Sequence, residues 1–166
     1  MRVYSGRKFA VEVEEVILPN GKSVKVESVR HPGSVVVIPL LGDEVILIRQ
    51  YRPVIGQWIL ELPAGTLNPG EDVKSAAIRE LSEETGYEAE EIREILTFYP
   101  SPGISDELMH VFLATRLRAG KARPEEYELI TLYPVKLRQA LDMVMKGQIL
   151  DAKTVASLLY LSLLKE

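Results

Sequence analysis

Three glutamates stand close together near the middle of the sequence. On an α-helix, Glu80, Glu83 and Glu84 lie on or beside one face. The same face carries the apolar residues Val73 and Ala77, so its first half resembles the buried stripe of an amphipathic helix. Burying several carboxylates together is unfavourable because they lose hydration and repel one another. A divalent cation removes that cost, and Mg²⁺ prefers oxygen ligands, so the pattern suggests a magnesium site.

A solvated acidic face is the alternative interpretation of the same residues. Such a face would pair Arg79 with Glu83 four positions later, as exposed helices often do. The apolar stripe that runs directly into the carboxylates favours the metal site instead, and the residues around the glutamates favour it further.

The bulk composition limits the class of protein. The 166 residues, 46% hydrophobic and 27% charged, fit a single globular domain over residues 1–166. The net charge of −4 argues against broad nucleic-acid binding, and no apolar run approaches the roughly 20 residues of a membrane span. The absence of cysteine excludes disulfides and zinc–sulfur sites. Because no apolar stretch follows the basic N-terminus, we expect a cytoplasmic protein.

Strands and helices must position the glutamates. Apolar alternation and continuous apolar runs predict strands at 9–18, 23–30, 35–38, 45–48, 57–62, 92–99, 108–116 and 129–133. Helices are predicted at 72–85, 135–145 and 151–164. Gly86 is expected to close the first helix in the left-handed conformation, and Asp151 is expected to cap the last. This order predicts an α/β or α+β protein, an α/β/α sandwich with a mixed sheet.

The sequence around the glutamates resembles the Nudix box. That motif is Gly, five residues, Glu, seven residues, Arg-Glu, an apolar residue, any residue, Glu-Glu, any residue, Gly and an apolar residue. The matching positions here are Gly65, Glu71, Arg79, Glu80, Leu81, Glu83, Glu84, Gly86 and Tyr87. The aromatic Tyr87 is a mild departure at the last position. The match covers residues 65–87 and is highly specific because many residue types stand at fixed spacing.

The resemblance implies a fold, a reaction and a set of ligands. Nudix enzymes hydrolyse a nucleoside diphosphate linked to another group, with Mg²⁺ or Mn²⁺, on an α/β/α sandwich. By resemblance, Glu80 and Glu84 are the main metal ligands, and Glu83 is a further ligand or orients the attacking water. The carbonyl of Ala64 is an expected additional ligand. Arg79 is expected to orient the glutamates.

Sequence outside the box resembles the ADP-ribose pyrophosphatase branch of the family. The segment Arg-Gln-Tyr-Arg-Pro at 49–53 and a Pro-rich loop at 99–107 carry this resemblance. It implies hydrolysis of ADP-ribose to AMP and ribose 5-phosphate. Arg52 would then contact the diphosphate or the neighbouring ribose, because guanidinium groups suit phosphate oxygens. Arg30 and Gly103 are further candidates for substrate binding.

Several other residues have both a functional and a structural interpretation. Phe9 would either stack on the adenine or belong to the core. His31 is predicted to be structural, and Trp58 is predicted to lie in the core. In the loop at 124–128, Glu126 matches a catalytic base of the branch and Glu128 a further metal contact. The same loop sequence also fits a solvated acidic turn.

Other functions remain open at this point. The substrate could be NADH, a sugar nucleotide, a flavin dinucleotide or a damaged nucleoside triphosphate. A Nudix fold can also sense nucleotides without turnover, although the intact box and the lack of a DNA-binding segment favour an enzyme. Members of the branch are typically homodimers with exchanged N-terminal strands. Residues 1–30, expected to form an N-terminal antiparallel sheet, are therefore predicted to contact a partner subunit.

Overall fold

The computed structural model describes residues 1–124 and 126–164. The strands are β1 (Arg2–Ser5), β2 (Ala10–Ile17), β3 (Ser23–Arg30), β4 (Ser34–Leu41), β5 (Glu44–Arg52), β6 (Gln57–Glu61), β7 (Ala64–Thr66), β8 (Tyr87–Phe98), β9 (Met109–Ala119) and β10 (Ile130–Lys136). The helices are α1 (Val73–Thr85), α2 (Leu137–Met145) and α3 (Ala152–Leu164).

A mixed sheet forms the centre of the fold. Its hydrogen-bonded order is β10-β5-β4-β9-β8, with β6 paired to β5 and β7 paired to β4. Strands β4 and β9 are parallel, whereas the other pairings of this sheet are antiparallel. All residues of β4 except the last are buried. A strand that is covered on both faces has no solvent-facing positions for polar residues, which explains the continuous apolar run of β4.

Helices cover both faces of this sheet. Successive side chains of β4 point to opposite faces. Val35 lies in an apolar cluster with Leu81 of α1, whereas Val36 lies in a second cluster with Ala140 of α2 and Leu158 of α3. One helix therefore packs on one side and two helices pack on the other, which confirms the predicted α/β/α sandwich with a mixed sheet.

The first thirty residues form a separate antiparallel sheet with the order β1-β2-β3. The sheet joins the Pro-rich loop through the backbone N–H of Val29, which donates to the carbonyl of Ile104 at 2.7 Å. Its surface exposes apolar side chains, among them Val3, Tyr4 and Ile17. The predicted N-terminal sheet is thus present, with one more strand, β1, than the sequence pattern indicated.

Several predicted boundaries and one predicted core residue differ from the structure. Val135 pairs with Val45 in β10, so the second helix begins at Leu137 rather than at 135. Strand β8 begins directly after α1, at Tyr87, rather than at 92. The expectation that Trp58 lies in the core is wrong: it is 41% exposed on the surface. Among the described residues, no helix has both the length and the apolar character that crossing a membrane requires.

Candidate active site

Helix α1 carries two buried carboxylates on the face that packs inward. The helix is fixed at its start by Asp72, whose side chain accepts the N–H groups of the first turn at 3.1 Å. It ends at Gly86, which has a φ of +74°. Glu80 is 8% exposed and Glu84 is 3% exposed. A solvated acidic face therefore does not describe these two residues, whereas the side chain of Glu83 is 41% exposed.

Arg79 links the carboxylates of this helix to Glu71. Its Nε and Nη2 donate to the two carboxylate oxygens of Glu71 at 2.8 Å and 3.0 Å. Its Nη1 donates to Glu80 Oε1 at 2.7 Å and to Glu83 Oε2 at 3.0 Å. The hydrogen bond from Arg79 lowers the pKa of Glu71 to about 2. One guanidinium thus holds three carboxylates in fixed directions, which is the geometry that an orienting role requires.

The backbone at 64–65 approaches the two buried glutamates closely. The N–H of Ala64 donates to Glu84 Oε2 at 2.9 Å. A Cβ placed on Gly65 would lie 1.8 Å from Glu80 Oε1 and 2.0 Å from Glu80 Cδ. Any side chain at this position would occupy the space of the carboxylate, so only glycine allows the observed arrangement.

Burial makes the charged form of both glutamates unfavourable. The pKa of Glu84 is raised to about 8, mainly by burial and further by the charges of Glu80 and Glu128, against the hydrogen bond from Ala64. Burial also raises the pKa of Glu80, although Arg79 opposes it. A divalent cation would stabilise both carboxylates in their charged form. An all-oxygen donor set suits hard cations such as Mg²⁺ and Mn²⁺.

The carboxylates are not gathered around one point in this conformation. Within residues 1–124 and 126–164, no group of three or more His, Asp or Glu side chains is close enough to hold one ion. Arg79 holds oxygens of Glu80 and Glu83, and the backbone holds an oxygen of Glu84. Joint coordination of a cation therefore requires these side chains to move closer together.

A cavity of about 820 Å³ is bordered by α1 and β7. This volume is within the range of small-molecule sites. The predicted residues that line it are Arg52, Ala64, Arg79, Glu80, Glu83, Glu84 and Glu128. His31 also lines the cavity, and its Nδ1 accepts the N–H of Gly33 at 3.1 Å, as a structural histidine would. The fold thus brings the predicted metal ligands and one predicted phosphate-binding arginine to one place.

Arg30 lies outside the lining of this cavity. Its guanidinium forms ion pairs with Glu12 and Asp106, at 2.9 Å and 3.2 Å, and with Glu14. These partners join β2, β3 and the Pro-rich loop. Within one chain Arg30 therefore has a structural environment, and its contact with substrate stays a prediction.

Phe9, Gly103 and Glu126 also lie outside the lining. Phe9 is 43% exposed and packs against Tyr4, with ring centroids 5.7 Å apart. Gly103 and Glu126 are exposed residues of two different loops. The substrate-binding roles of the first two and the catalytic role of Glu126 stay predictions.

Three charged residues that line the cavity, Glu61, Asp151 and Lys153, were not predicted to do so from the sequence. Glu61 is 1% exposed and Lys153 is 7% exposed, and both line the cavity beside Asp151. A signal for Lys153 was present. It precedes Ser157 and Leu161 by four and eight residues, so it lies on the buried stripe of α3, where a lysine must have charged partners.

Comparisons with known proteins extend over nearly the whole chain. The NUDIX domain model matches residues 30–154. The ADP-ribose pyrophosphatase of Bacillus subtilis (strain 168) is 41% identical over 165 residues, which cover 98% of this chain and 89% of that protein. The methanol dehydrogenase activator of Bacillus methanolicus is 40% identical with the same coverage. A crystal structure of an ADP compounds hydrolase superposes with a TM-score of 0.85 and 25% identity, over 99% of this chain and 90% of that one.

Proposed function

Because the chain belongs to the Nudix family, we propose that it hydrolyses the diphosphate bond of ADP-ribose to give AMP and ribose 5-phosphate, with Mg²⁺ or Mn²⁺ as cofactor. The observation that carries this proposal is one cavity lined by the buried carboxylates Glu80 and Glu84 and by the guanidinium of Arg52. The similarity to an ADP-ribose pyrophosphatase over 98% of the chain supports the choice of substrate.

The residues around Ala64 and Gly65 of β7 fit a divalent cation. Glu80 and Glu84 would hold it, assisted by Glu83 and by the carbonyl of Ala64. When bound, such an ion lowers the pKa of a coordinated water and neutralises charge on the phosphate oxygens. Part of this arrangement is already present in the protein, because the missing side chain of Gly65 leaves space for the carboxylate of Glu80 and Arg79 directs Glu80 and Glu83.

Arg52 is the residue we assign to the diphosphate. Its side chain is 37% exposed and lines the cavity. Glu61 accepts from its Nε and Nη2, so that edge of the guanidinium is fixed against the protein. The edge that carries Nη1 can then donate to phosphate oxygens, with a direction set before substrate arrives.

Two further carboxylates, those of Glu126 and Glu128, follow β9 in the chain. The first part of the loop after β9 is attached to the end of α1, where Gly120 N–H donates to the carbonyl of Gly86 at 2.7 Å and Arg123 N–H to that of Glu83 at 2.8 Å. Glu128 lines the cavity and adds to the raised pKa of Glu84. We assign it a metal contact. Glu126 serves as the base if the loop moves toward the cavity on substrate binding, and Glu83 is the alternative base.

A substrate panel tests the proposal. The purified protein is incubated with Mg²⁺ and ADP-ribose, NADH, a sugar nucleotide, a flavin dinucleotide or a damaged nucleoside triphosphate, and the products are identified by chromatography. We expect AMP and ribose 5-phosphate, with the highest kcat/KM for ADP-ribose. A tenfold preference for another compound contradicts the substrate assignment. Near-normal turnover by Glu80→Gln or Glu84→Gln contradicts the site assignment.

A second candidate function follows from the relative named methanol dehydrogenase activator, which is almost as similar to this chain as the pyrophosphatase is. In that case the chain would raise the activity of a partner dehydrogenase. Adding the protein and its Glu84→Gln variant to a methanol dehydrogenase assay separates the two functions. Activation by the wild type alone would show that hydrolysis underlies it, whereas no activation removes this candidate.

Homodimer formation and a cytoplasmic location belong to the proposal as well. The apolar side chains exposed on the N-terminal sheet, including Val3, Tyr4 and Ile17, support a subunit interface through exchanged strands. Sedimentation at micromolar concentration tests the interface. A single monomeric species would contradict it.

A further inference from the structure

A chain of ion pairs connects helix α3 to the arginine of the cavity. Arg52 donates from Nε to Glu61 Oε1 at 2.6 Å and from Nη2 to Glu61 Oε2 at 2.7 Å. Lys153 Nζ donates to the same Oε2 of Glu61 and to Asp151 Oδ2 at 2.9 Å. Two cations and two carboxylates thus alternate in the order Arg52–Glu61–Lys153–Asp151, which we call the α3 ion chain.

The middle of the α3 ion chain is buried, although all four of its members border the cavity. Glu61 is 1% exposed and Lys153 is 7% exposed. Burial alone would raise the pKa of Glu61, but the hydrogen bond from Arg52 and the charge of Lys153 outweigh it and hold the pKa below its ordinary value. Glu61 therefore stays ionised and keeps its hold on the guanidinium.

Fold stability does not account for a buried lysine at this position. A buried ion pair is often no more stabilising than apolar residues of similar volume, because removing charges from water is costly. The rest of the buried stripe of α3 is uncharged, with Ser157, Leu158 and Leu161. An apolar side chain in place of Lys153 and a neutral one in place of Glu61 could fill the same space. The pair of Lys153 and Glu61 therefore indicates a function at the cavity, where Glu61 binds Arg52.

The start of α3 is attached to β6 at two adjacent residues. Asp151 Oδ2 caps the helix by accepting the N–H of Thr154 at 3.0 Å. Thr154 Oγ1 accepts the N–H of Leu62 at 2.8 Å. Glu61, the residue before Leu62, accepts a hydrogen bond from Lys153 Nζ. These contacts fix the position and orientation of the Glu61 carboxylate relative to the sheet.

We propose that Lys153 is a positioning residue, which holds Glu61 from α3 and so fixes the guanidinium of Arg52 in the orientation that binds the substrate diphosphate. The inference rests on the proposed function, since it assigns Arg52 to the diphosphate. Lys153 acts through two other side chains, because its ammonium group donates to Glu61 and the same carboxylate accepts from the guanidinium of Arg52.

A double-mutant cycle tests this mechanism. The variants are Lys153→Met, Arg52→Gln and the double variant, with Lys146→Met as the matched control at an exposed lysine of the C-terminal region. The dissociation constant of ADP-ribose is measured by calorimetry in EDTA, where turnover is prevented, and kcat and KM are measured with Mg²⁺. Lys153→Met is expected to raise Kd and KM by about tenfold and to change kcat by less than about threefold. In the Arg52→Gln background the same change is expected to alter Kd by less than about twofold.

Two results would overturn the mechanism. If the effects of Lys153→Met and Arg52→Gln multiply, the lysine acts on substrate independently of the arginine. If folded Lys153→Met binds ADP-ribose like the Lys146→Met control, the lysine has no part in binding. Thermal melts establish which variants are folded.

If Lys153→Met does not fold, the Asp151→Asn variant tests the proposal instead. Asparagine caps helices as well as aspartate does, but it removes the charge that anchors Lys153. We expect about a threefold rise in Kd that disappears in the Arg52→Gln background. An unchanged Kd in this variant would overturn the proposal.

The design separates this inference from the proposed function. A wild-type protein that neither binds nor cleaves ADP-ribose contradicts the substrate assignment alone. The same cycle is then measured with the diphosphate compound that the panel identifies. If the effects of Lys153→Met and Arg52→Gln on the Kd of that compound multiply, the role of Lys153 is overturned. A protein that binds and cleaves none of the panel compounds overturns both.

Discussion

Replacing Gly65 with alanine adds a single methyl group where the carboxylate of Glu80 lies. The added Cβ would be 1.8 Å from Glu80 Oε1, and real Cβ contacts are essentially never below 3.0 Å. The carboxylate must therefore retreat by about 1 Å or more, and a misplacement of that size in a catalytic arrangement can cost about 100-fold in rate. The backbone of Gly65 lies outside the left-handed region, so alanine adds no strain there. We expect kcat to fall about 100-fold while the fold remains intact.

The assay compares turnover of ADP-ribose with thermal stability for the same preparations. Gly65→Ala is expected to keep its Tm within a few degrees, because the contact is with the end of a flexible side chain and because replacing glycine restricts the unfolded chain. Its half-saturating Mg²⁺ concentration is expected to rise, because Glu80 no longer meets the ion in the same place.

Gly42→Ala is the matched control with the opposite expectation. Gly42 has a φ of +64° in the turn between β4 and β5, and a Cβ there meets nothing within 4 Å. Alanine in the left-handed region costs roughly 1–2 kcal/mol, so stability should fall while kcat is kept. If Gly65→Ala retains more than about a third of the wild-type kcat with its fold intact, the close packing of Glu80 on Gly65 is not needed for turnover, and the reasoning fails.

The other predictions concern the buried carboxylates and the loop. Glu84→Gln is expected to lower turnover by about 100-fold or more, yet to raise the Tm in EDTA at pH 8 because a buried charge is removed; a lower Tm there would contradict the burial argument. In metal-free wild type, the free energy of unfolding should fall as pH rises from about 5 to 8. The pKa of Glu84 in the folded state, about 8, exceeds its ordinary value of 4.5, so between these values the folded state binds more protons than the unfolded state. Urea titrations should show the free energy of unfolding falling by at most about 1.4 kcal/mol per pH unit. A flat profile would contradict the shift. Mg²⁺ should accordingly raise the Tm more at pH 8 than at pH 5.5. Glu126→Gln should lower kcat and alter its pH profile, whereas Glu128→Gln should mainly raise the Mg²⁺ requirement; the reverse result would exchange the two assigned roles.

The sequence was sufficient to predict the layers of the fold and the helix that carries the carboxylates. Both rest on local patterns. The continuous apolar run of β4 requires cover on both faces, and Asp72 and Gly86 mark the ends of α1 through hydrogen bonds within a few residues of each cap. Strands β1 and β7 escaped prediction because they are short. Val135 was assigned to a helix because it is an apolar residue directly before an amphipathic segment. Its pairing with Val45 across the sheet cannot be recognised from the local sequence.

Prediction of the cavity was incomplete for a different reason. The box residues follow one another closely along β7, the loop after it and α1, so their spacing specifies their arrangement. Lys153 and Glu61 are 92 positions apart, and no local pattern can show that one neutralises the other. Arg30 shows the converse: its residue type suits a phosphate, but three carboxylates from β2 and the Pro-rich loop surround it in the folded chain.

Two helices depart from their own apolar pattern at the ends that border the same cavity. In α1, Glu80 and Glu84 continue a stripe that begins with alanines, and in α3, Lys153 stands at the head of a stripe that ends with leucines. Each departure costs free energy that an apolar residue would have avoided. Natural sequences keep such conflicts where function requires them. The two ends also suit ligands of opposite charge: the anionic end of α1 suits a cation, while the α3 ion chain holds Arg52, whose guanidinium suits an anion. A substrate that brings a diphosphate and a divalent ion together satisfies both ends of the cavity at once, and a ligand with only one of these groups would leave the other end without its counter-charge.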